Sequence, residues 1–569
     1  MRFYSLSVQL LLFAILVVVA RPLGADVVIT EFMADNDNTL ADEDGDYSDW
    51  IELYNSGTDS VDLAGWYLAD DLSVLSHWRF PALVLEAGEF VVVFASGKDR
   101  AFPGGELHTS FRLDSSGEYL ALFQRDGVSI SHEYGPLYPP QRENYSYGMG
   151  MQGQAVSVDR LYFSAPTPGE ANSGGFEAFV ADVVFSAGSG FFGQSFEVSL
   201  QTETPGAAIR FTTDGSAPAG PNDGTPYRGP IEITGTTTVR AASFHEGHEP
   251  SDVMTHTYVF LSQVVNQSNT PPGYPSSWSG RPADYEMDPE VVGGDDLFNG
   301  VYRQSIVDDL KDIPTLSITM DRDDLFGARG IYVNSQSEGV GWERPASVEL
   351  FDPQGGEEGF QVNCGIRIQG GSSRSPNFPK HSFRLLFKRD YGPGKLRYPL
   401  FKDQPEGGNA TDEFDTVVLR AFFNNSWTHW HWYQNPRAQY LRDQFIRDSQ
   451  LAMGQPSPHG RFVHVYLNGL YWGFYNLHER PSAPFMAAYG DGEREDYDTQ
   501  NVTTAVDGNL SNWNRMMSIA NSGVSSAAGY ARIRELLDVD NLIDYMLLNF
   551  YLGNDDWDGH NWYAGSRRD

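Results

Sequence analysis

Short strand-like runs alternate with turn-forming residues along most of this chain, and this pattern constrains the fold more than any other feature. The runs return about every ten residues, between clusters rich in Gly, Pro, Asp and Ser. Such spacing is typical of β-sandwiches and barrels. At 569 residues the chain is too long for a single hydrophobic core, so we expect about three or four domains.

The charge balance and the cysteine count limit the partners and the chemistry. The chain has 39 basic and 76 acidic side chains, a formal charge of -37 that would repel a phosphate backbone, so we expect no nucleic-acid partner. The carboxylates are consistent with a solvated acidic surface or with cation sites. Cys364 is the only cysteine, which excludes disulfides within the chain and cysteine-based metal or redox sites. We interpret it as a small buried hydrophobe.

The N-terminus has the layout of a secretory signal peptide at 1–25. Arg2 precedes an apolar run at 8–20, and small residues at 24–25 offer a cleavage site. The apolar run is too short to span a bilayer comfortably, although an uncleaved anchor is the alternative. No later stretch could span, so we expect a secreted or cell-surface protein with no stable membrane span.

The first block, at 26–172, has strand-like runs with β-branched and aromatic residues. Its segments 29–34, 49–55 and 61–68 resemble the lamin-tail domain, which implies an immunoglobulin-like sandwich. The run Asp42-Glu43-Asp44-Gly45-Asp46 could wrap Ca²⁺ with carboxylate oxygens, or it could be a solvated acidic turn.

The second block, at 181–261, contains short strands around the turn 213–216. Its segments 209–218 and 227–231 resemble the small sandwich at the C-terminus of chitobiases, which implies a spacer or a module associated with polysaccharide. It shows no pair of carboxylates for glycoside hydrolysis. The polar, Pro- and Gly-rich stretch at 262–312 is predicted to be a linker, which could pack on the block that follows.

A Gly/Ser turn and a basic strand suggest an anion site in the block at 313–569. The strand around Cys364 enters a turn whose glycines let backbone N–H groups approach an anion, unless the turn merely joins two strands. In the run 380–388, alternation would place Lys380, Arg384 and Lys388 on one face and apolar residues on the other. That face could hold phosphate or could carry ordinary surface cations. The turn residues are Gly370, Gly371, Ser372 and Ser373.

Further elements follow in a definite order. We predict a helix over 437–453, a hairpin around Asn468-Gly469, and a connection at Glu479 that leads to a new helix as a hinge would. An apolar helix at 541–552 then delivers a loop with Asp556 and Asn561, whose Asp-x4-Asn spacing is that of a kinase catalytic loop. In that chemistry the Asp accepts the proton of the attacking hydroxyl and the Asn holds Mg²⁺.

Three motifs in this block resemble the CotH-like (spore coat protein H) family. They are Gly-x4-Gly-x-Ser-Ser-Arg at 365–374, Tyr-Leu-Asn-Gly-x-Tyr-x-Gly-x-Tyr at 466–475 and Gly-Asn-x-Asp-Trp at 553–557. The resemblance implies an atypical protein kinase fold that transfers phosphate from ATP, with Mg²⁺ or Mn²⁺, to Ser or Thr of an extracellular or coat protein. The expected fold class is therefore multidomain: two all-β immunoglobulin-like sandwiches followed by an α+β protein-kinase-like domain.

The resemblance also implies residue roles. Asp556 is the expected general base, unless Asp555 or Asp558 serves, and Asn561 the metal ligand. Lys380 would pair the α and β phosphates, with Arg384 as its alternative. The turn residues Gly370, Gly371, Ser372 and Ser373 would cover the phosphates, and Glu479 would lie at the nucleotide hinge. His560 could be a base or a loop residue bonded to the backbone. Asp443 or Asp448 would have to partner Lys380, or no acid does.

Two departures from the kinase pattern leave alternatives open. The helix at 437–453 contains no Glu, and no second metal-binding Asp follows Asn561 before Asp569. We therefore expect a fragment of a longer kinase, whose C-terminal domain is incomplete here. The alternative is a secreted adhesion scaffold with a non-catalytic kinase-like domain.

Overall fold

The computed structural model describes residues 27–568 except positions 75–76, 279, 293–299, 424, 427–431, 434, 555 and 558. The predicted signal peptide, like Asp555 and Asp558, lies outside the described residues. The chain forms two compact units: one contains the residues up to 179 together with 246–249, and the other contains 180–245 and the residues from 250 onward.

The first unit is built from two main sheets and a small sheet in which β3 pairs with β6. One sheet has the order β12-β11-β1-β2-β7-β8 and the other β10-β9-β4-β5. Phe32 of the first sheet and Trp78 of the second are buried in a common core, as expected for a sandwich. The strands are β1 (Val27–Met33), β2 (Trp50–Asn55), β3 (Val61–Asp62), β4 (Tyr67–Ala69), β5 (Trp78–Arg79), β6 (Val84–Leu85), β7 (Phe90–Phe94), β8 (Leu107–His108), β9 (Leu120–Phe123), β10 (Ile130–Tyr134), β11 (Ser146–Gln152) and β12 (Ala155–Phe163).

The second unit begins with a smaller set of sheets. Its main sheet has the order β14-β21-β20-β17-β18, with β13 paired to β16 and β15 to β19. Val198, Val239 and Tyr258 lie in its core. The strands are β13 (Val184–Phe185), β14 (Gly190–Phe191), β15 (Phe196–Val198), β16 (Leu200–Gln201), β17 (Ala208–Thr212), β18 (Thr225–Pro226), β19 (Ile231–Ile233), β20 (Thr237–Phe244) and β21 (Met254–Val259).

The segment at 262–312, predicted to be a linker, is packed against the strands that begin at Thr315. Trp278 and Tyr285 are buried in the same core as those strands, because their aromatic rings contact Trp472. The polar composition of this segment did not indicate that Trp278 and Tyr285 are buried. Its elements are α1 (Leu261–Val264), β22 (Ser277–Trp278), β23 (Arg281–Pro282), α2 (Pro289–Val292) and α3 (Val301–Asp309).

A closed barrel comes next in the chain, in the order β24-β25-β26-β27-β30-β32-β31. It closes because β24 pairs with β31 in parallel, while the other neighbouring barrel strands are antiparallel. Alternate residues such as Ile366, Phe383 and Val465 fill the interior. The barrel strands are β24 (Thr315–Thr319), β25 (Arg344–Phe351), β26 (Phe360–Gln369), β27 (Ser382–Leu386), β30 (Thr416–Arg420), β31 (Gly460–Leu467) and β32 (Leu470–Glu479), and a separate two-stranded sheet pairs β28 (Leu396–Arg397) with β29 (Glu413–Phe414).

Helices and a last small sheet, in the order β34-β33-β35, complete the second unit. The predicted Asn-Gly hairpin is confirmed: Asn468 and Gly469 have φ of 50° and 79°, the left-handed pair that tight hairpins require. The elements are α4 (Arg322–Phe326), α5 (Arg442–Ala452), α6 (Ala483–Tyr489), β33 (Tyr497–Asn501), β34 (Thr504–Asp507), α7 (Ser511–Asn521), α8 (Ala527–Arg534), α9 (Val539–Tyr551) and β35 (Tyr563–Arg567).

Helix α5 buries a different face from the one its sequence indicates. The helix is shorter than the predicted 437–453, and its buried residues are Gln444 and Arg447. Leu441 and Phe445, two of the apolar residues whose spacing indicates the helix, are exposed. The helix contacts the barrel surface through a polar network that includes Gln444 and Arg447.

The described part of the chain is mostly β and contains several sheets, consistent with immunoglobulin-like domains. None of its helices combines the length and hydrophobicity that crossing a bilayer requires. The domain boundaries drawn from the sequence stay predictions.

Candidate functional site

Arginines line the outer face of the barrel. Arg367 of β26 is the cross-strand partner of Arg384 of β27, and the same row continues to Val418 and His478. The predicted alternation in β27 is confirmed, since Phe383, Leu385 and Phe387 are buried in the barrel core. The side chains of Arg367 and Arg384 therefore lie on the outer face of the barrel.

This face carries more positive than negative charge. The buried carboxylate of Glu343 accepts from Arg367 Nη1 at 3.1 Å and from Lys388 Nζ at 2.8 Å. Arg384 donates through Nε to the side-chain oxygen of Gln369 at 3.0 Å. Among the described residues, no carboxylate lies within ion-pair distance of Arg384 or Arg480, and Arg480 Nε is buried without a hydrogen-bond partner.

The excess charge is reflected in the titration of the arginines. Burial lowers the pKa of Arg384, and the neighbouring guanidiniums of Arg480 and Arg367 lower it further. Burial likewise lowers the pKa of Arg480. Arg384 and Arg480 remain cations at neutral pH, so an anion bound here would relieve their mutual repulsion.

Arg420, at the end of β30, has an acidic partner on the next helix. Its Nη1 lies 3.4 Å from Asp443 Oδ2 of α5, and Arg447 of the same helix lies 3.6 Å from that oxygen. Burial alone would raise the pKa of Asp443, but Arg420 and Arg447 lower it to about 2. Arg420 of β30 thus pairs with Asp443 of α5 on the same outer face of the barrel that carries Arg384.

Lys380 does not share this face. The strand begins at Ser382, and Lys380 lies before it, with its ammonium bonded to the backbone oxygen of Asp284 and 4.1 Å from the centre of the Trp472 ring. Burial lowers the pKa of Lys380 to about 8. The expected common face of Lys380, Arg384 and Lys388 is therefore wrong for Lys380, because the chain turns into the barrel end at that point.

Asp443 and Asp448, the two acids expected to partner Lys380, have other contacts. Asp443 pairs with Arg420 and Arg447, whereas Asp448 accepts a hydrogen bond from Gln444 at 2.6 Å. The helix acid is present as predicted, but the cation that it meets is an arginine of β30.

The predicted Gly/Ser turn joins β26 to β27 beside these arginines. Gly371 and Ser372 are exposed, while Gly370 and Ser373 are half-buried. Gly370 has φ of 118°, and a Cβ there would collide with the Ser373 hydroxyl, so both conformation and space require glycine. The turn exposes backbone and hydroxyl donors at the edge of the cationic face.

Glu479 ends β32, and α6 begins four residues later, as the hinge prediction requires. Its carboxylate is buried and already engaged: Oε2 accepts from the His459 backbone N–H at 2.7 Å, and Oε1 accepts from the Tyr489 hydroxyl at 2.6 Å. The side chain of Glu479 therefore holds the hinge together, and its backbone is engaged as well, since its N–H donates to the His459 oxygen at 3.1 Å.

Asp556 and Asn561 come together in the loop after α9. The Asn561 amide nitrogen donates to the Asp556 backbone oxygen at 2.9 Å and to its carboxylate at 3.1 Å, and His560 Nε2 pairs with the same carboxylate. Asp556 and Asn561 are exposed, and Asn561 has φ of 63°. In this arrangement the Asn561 amide nitrogen faces the Asp556 carboxylate, so the amide oxygen of Asn561 is the group left for an ion. It is an oxygen ligand of the kind that Mg²⁺ or Mn²⁺ takes, and Asn561 fits such an ion in that respect.

Tyr563 connects this loop to the cationic face. It begins β35, two residues after Asn561, and its hydroxyl accepts from Asn501 at 3.2 Å. Tyr563 lies close enough to Arg384 and Arg480 to shift the pKa of both. The exit of the Asp556–Asn561 loop therefore lies within electrostatic range of Arg384 and Arg480.

The acidic turn predicted as a calcium or solvated turn belongs to the first unit. Oxygens of Asp42, Asp44 and Asp46 are close enough together for a cation. Lys98 Nζ lies 2.7, 2.7 and 2.8 Å from these three carboxylates. An ammonium thus takes the central position that a calcium ion would need.

Sequence reasoning missed Arg420, Arg367, Arg480 and Glu343. Arg420 could have been found from the order of elements, since it ends the strand directly before the helix that carries Asp443. Arg480 and Glu343 left no comparable signal, because only folding brings them to the same face.

Comparison with protein families agrees with the order of motifs along the chain. A search of curated proteins found no match for this chain. Residues 21–136 match the Lamin Tail Domain, residues 187–255 match the Chitobiase/beta-hexosaminidase C-terminal domain, and residues 366–569, which contain the arginine face and the Asp556–Asn561 loop, match the CotH kinase protein family.

Proposed function

We propose that this chain is part of an atypical protein kinase that binds ATP between the arginine face and the Asp556–Asn561 loop. The observation that carries the proposal is the Arg420–Asp443 pair, a strand cation and a helix acid on the face that Tyr563 also approaches. In protein kinases a strand Lys paired with a helix Glu holds the α and β phosphates. Arg420 and Asp443 supply the same charges in the same chain order.

The order of elements supports a kinase-like arrangement of the second unit. The turn at 370–373 joins two antiparallel strands, the next barrel strand is β30, and α5 follows it. The β31–β32 hairpin then leads through Glu479 to α6, and α9 delivers the Asp556–Asn561 loop. A kinase places its Gly-rich loop, Lys strand, acidic helix, hinge and catalytic loop in this sequence.

In the proposed reaction the oxygen of a Ser or Thr hydroxyl attacks the γ-phosphorus of ATP, the bond to the β,γ-bridging oxygen breaks, and ADP leaves. Asp556 accepts the proton of the attacking hydroxyl. Asn561 would hold a Mg²⁺ or Mn²⁺ ion that neutralises phosphate charge. Arg420 and the row with Arg384 would bind the phosphate oxygens, for which guanidiniums are suited as donors.

The proposed substrate is an exported protein of an extracellular or coat type. This part rests on the apolar segment at 8–20 and on the resemblance of the C-terminal block. Cell fractionation with an antibody against the chain tests it, since recovery only in the cytoplasm would contradict export.

Transfer of labelled phosphate tests the enzymatic proposal. The purified chain is incubated with ATP labelled at the γ position, Mg²⁺ and a mixture of exported proteins. Asp556→Asn should lower incorporation by at least about 100-fold, because general-base groups contribute on this scale. Asp540→Asn, at an exposed position in the first turn of α9, is the matched control and should retain activity. Incorporation that survives Asp556→Asn would remove Asp556 from the reaction.

A secreted scaffold with a non-catalytic kinase-like domain is the second candidate. It is favoured by the contacts of the Asp556 carboxylate, which is engaged by both His560 and Asn561. ATP binding without transfer to any exported protein would support the scaffold, whereas transfer that depends on Asp556 would exclude it.

A further inference from the structure

The segment from Ser335 to Glu343, which we call the brace, runs between α4 and β25. It lies before residue 366, where the match to the CotH kinase family begins. Its two ends nevertheless contact two parts of the proposed nucleotide site, the Gly/Ser turn and the arginine face.

One end of the brace holds the Gly/Ser turn through Arg374. The guanidinium of Arg374 is buried and donates through Nε to the Gly370 backbone oxygen and through Nη1 to the Ser337 backbone oxygen at 2.8 Å. In return, the Ser335 hydroxyl donates to the Arg374 backbone oxygen at 2.7 Å. The first residue of the turn is thereby tied to a separate piece of chain.

The other end of the brace holds the arginine face. Glu343 ends the brace, and its carboxylate joins Arg367 and Lys388. The Glu343 side chain is only 1% exposed, whereas those of Arg367 and Lys388 are 18% and 37% exposed, so the carboxylate end of each contact is sheltered from water. The brace therefore spans from the turn to the cations with a fixed attachment at each end.

We propose that the brace belongs to the nucleotide site and that Arg374 is its positioning residue, fixing the Gly/Ser turn in the conformation that meets the β and γ phosphates. This inference rests on the proposed function. Arg374 itself is turned away from any ligand by its contacts with Gly370 and Ser337. It acts through the turn, since a loop held before binding loses less entropy when the phosphates arrive.

The test compares the full chain with Arg374→Gln and Arg374→Lys. Amide hydrogen exchange at 370–373 reports the order of the turn, and titration with ATP and with AMP reports binding. In Arg374→Gln we expect faster exchange and about tenfold weaker ATP binding, with AMP binding within about twofold of wild type, because AMP has no β or γ phosphate. Arg374→Lys, which keeps the charge and loses the paired donors, should fall between.

Glu358→Gln serves as the matched control, since it removes an exposed carboxylate from the loop between β25 and β26. It should leave exchange and both affinities unchanged. Equal weakening of ATP and AMP in Arg374→Gln would overturn the proposal, because general destabilisation does not distinguish the two nucleotides. Unchanged exchange at 370–373 would overturn it as well.

The two proposals can fail separately. If the wild-type chain binds no ATP, the proposed function fails. The exchange measurement still decides whether Arg374 orders the turn: faster exchange at 370–373 in Arg374→Gln supports that role even without a nucleotide, and unchanged exchange contradicts it.

Discussion

Arg420 Nη1 and Asp443 Oδ2 lie 3.4 Å apart and join the strand β30 to the helix α5 on the outer face of the barrel. Burial of Asp443 is unfavourable on its own, so the pair exists because two guanidiniums compensate the carboxylate. The same contact fixes the helix on the barrel and fixes Arg420 in the proposed cleft.

Asp443→Asn removes the acid and leaves Arg420 and Arg447 without their counter-ion. We expect a loss of about 2 kcal/mol in the free energy of unfolding, between the values typical of exposed and of buried pairs. ATP binding should weaken at the same time, because Arg420 is no longer oriented. Urea denaturation and nucleotide titration measure the two effects. Asp448→Asn is the control on the same helix, and equal losses in both variants would contradict the account.

The acid stability of the second unit should depend on the same pair. The ordinary pKa of an Asp is 3.8, and that of Asp443 is about 2 in the folded chain. The stability that this carboxylate contributes is present above pH ~4 and is lost as the pH falls through 2. In Asp443→Asn, the free energy of unfolding should not show the fall that protonation of Asp443 causes in the wild type. Urea denaturation of both proteins between pH 5 and pH ~2 provides the comparison.

Glu52 gives the first unit the opposite pH dependence. It is fully buried, and burial raises its pKa from 4.5 to about 8, with Thr30 and Gly169 as hydrogen-bond donors. Its favourable contribution is present below pH ~4.5 and is lost as the pH rises through 8, on the order of 4 kcal/mol in all. Glu52→Gln should flatten this fall, whereas Glu86→Gln, at an exposed position, should not.

Hydrogen exchange of the amides in β1 and β2 measures the local stability of this unit without interference from the other. A wild-type profile that is flat between pH 5 and pH ~8, after correction for intrinsic exchange, would contradict the buried ionisation of Glu52.

Lys98 should make the acidic turn of the first unit insensitive to calcium. Hydrogen bonds from Lys98 to Asp42, Asp44 and Asp46 outweigh the desolvation of Lys98 and raise its pKa, so the ammonium stays charged among them. Added Ca²⁺ should leave the melting temperature of the wild-type chain unchanged. Lys98→Met should unfold at a lower temperature and recover with Ca²⁺, because three carboxylates then face one another. A calcium-dependent rise in the wild type would contradict this prediction.

The β architecture could be predicted because its signals are local. Alternation predicted the buried face of β27, and Asn468-Gly469 predicted the hairpin, since two-residue turns require left-handed backbone. The Asp556–Asn561 contact could also be predicted, because both residues lie in one loop.

The phosphate-binding cation could not be assigned from local pattern alone. Lys380 fits the alternation of β27, but the strand begins only at Ser382, and the Trp472 ring attracts the ammonium into the barrel end. The buried face of α5 was also missed: Gln444 and Arg447 are buried because Asn476 and Asp443 satisfy their polar groups. Both predictions failed because the contacting residues, Trp472 for Lys380 and Asn476 for α5, are distant from them in the sequence.

The most direct test of the central claim is equilibrium binding of ATP, with Mg²⁺, to the wild-type chain, Arg420→Met and Lys380→Met. If the arginine face binds the phosphates, Arg420→Met should weaken binding by about tenfold or more, the scale of a lost charge-assisted contact. Lys380→Met should bind ATP as the wild type does and lose only about 1 kcal/mol of stability with its contact to Trp472. The reverse pattern, with ATP binding lost in Lys380→Met and retained in Arg420→Met, would contradict the account.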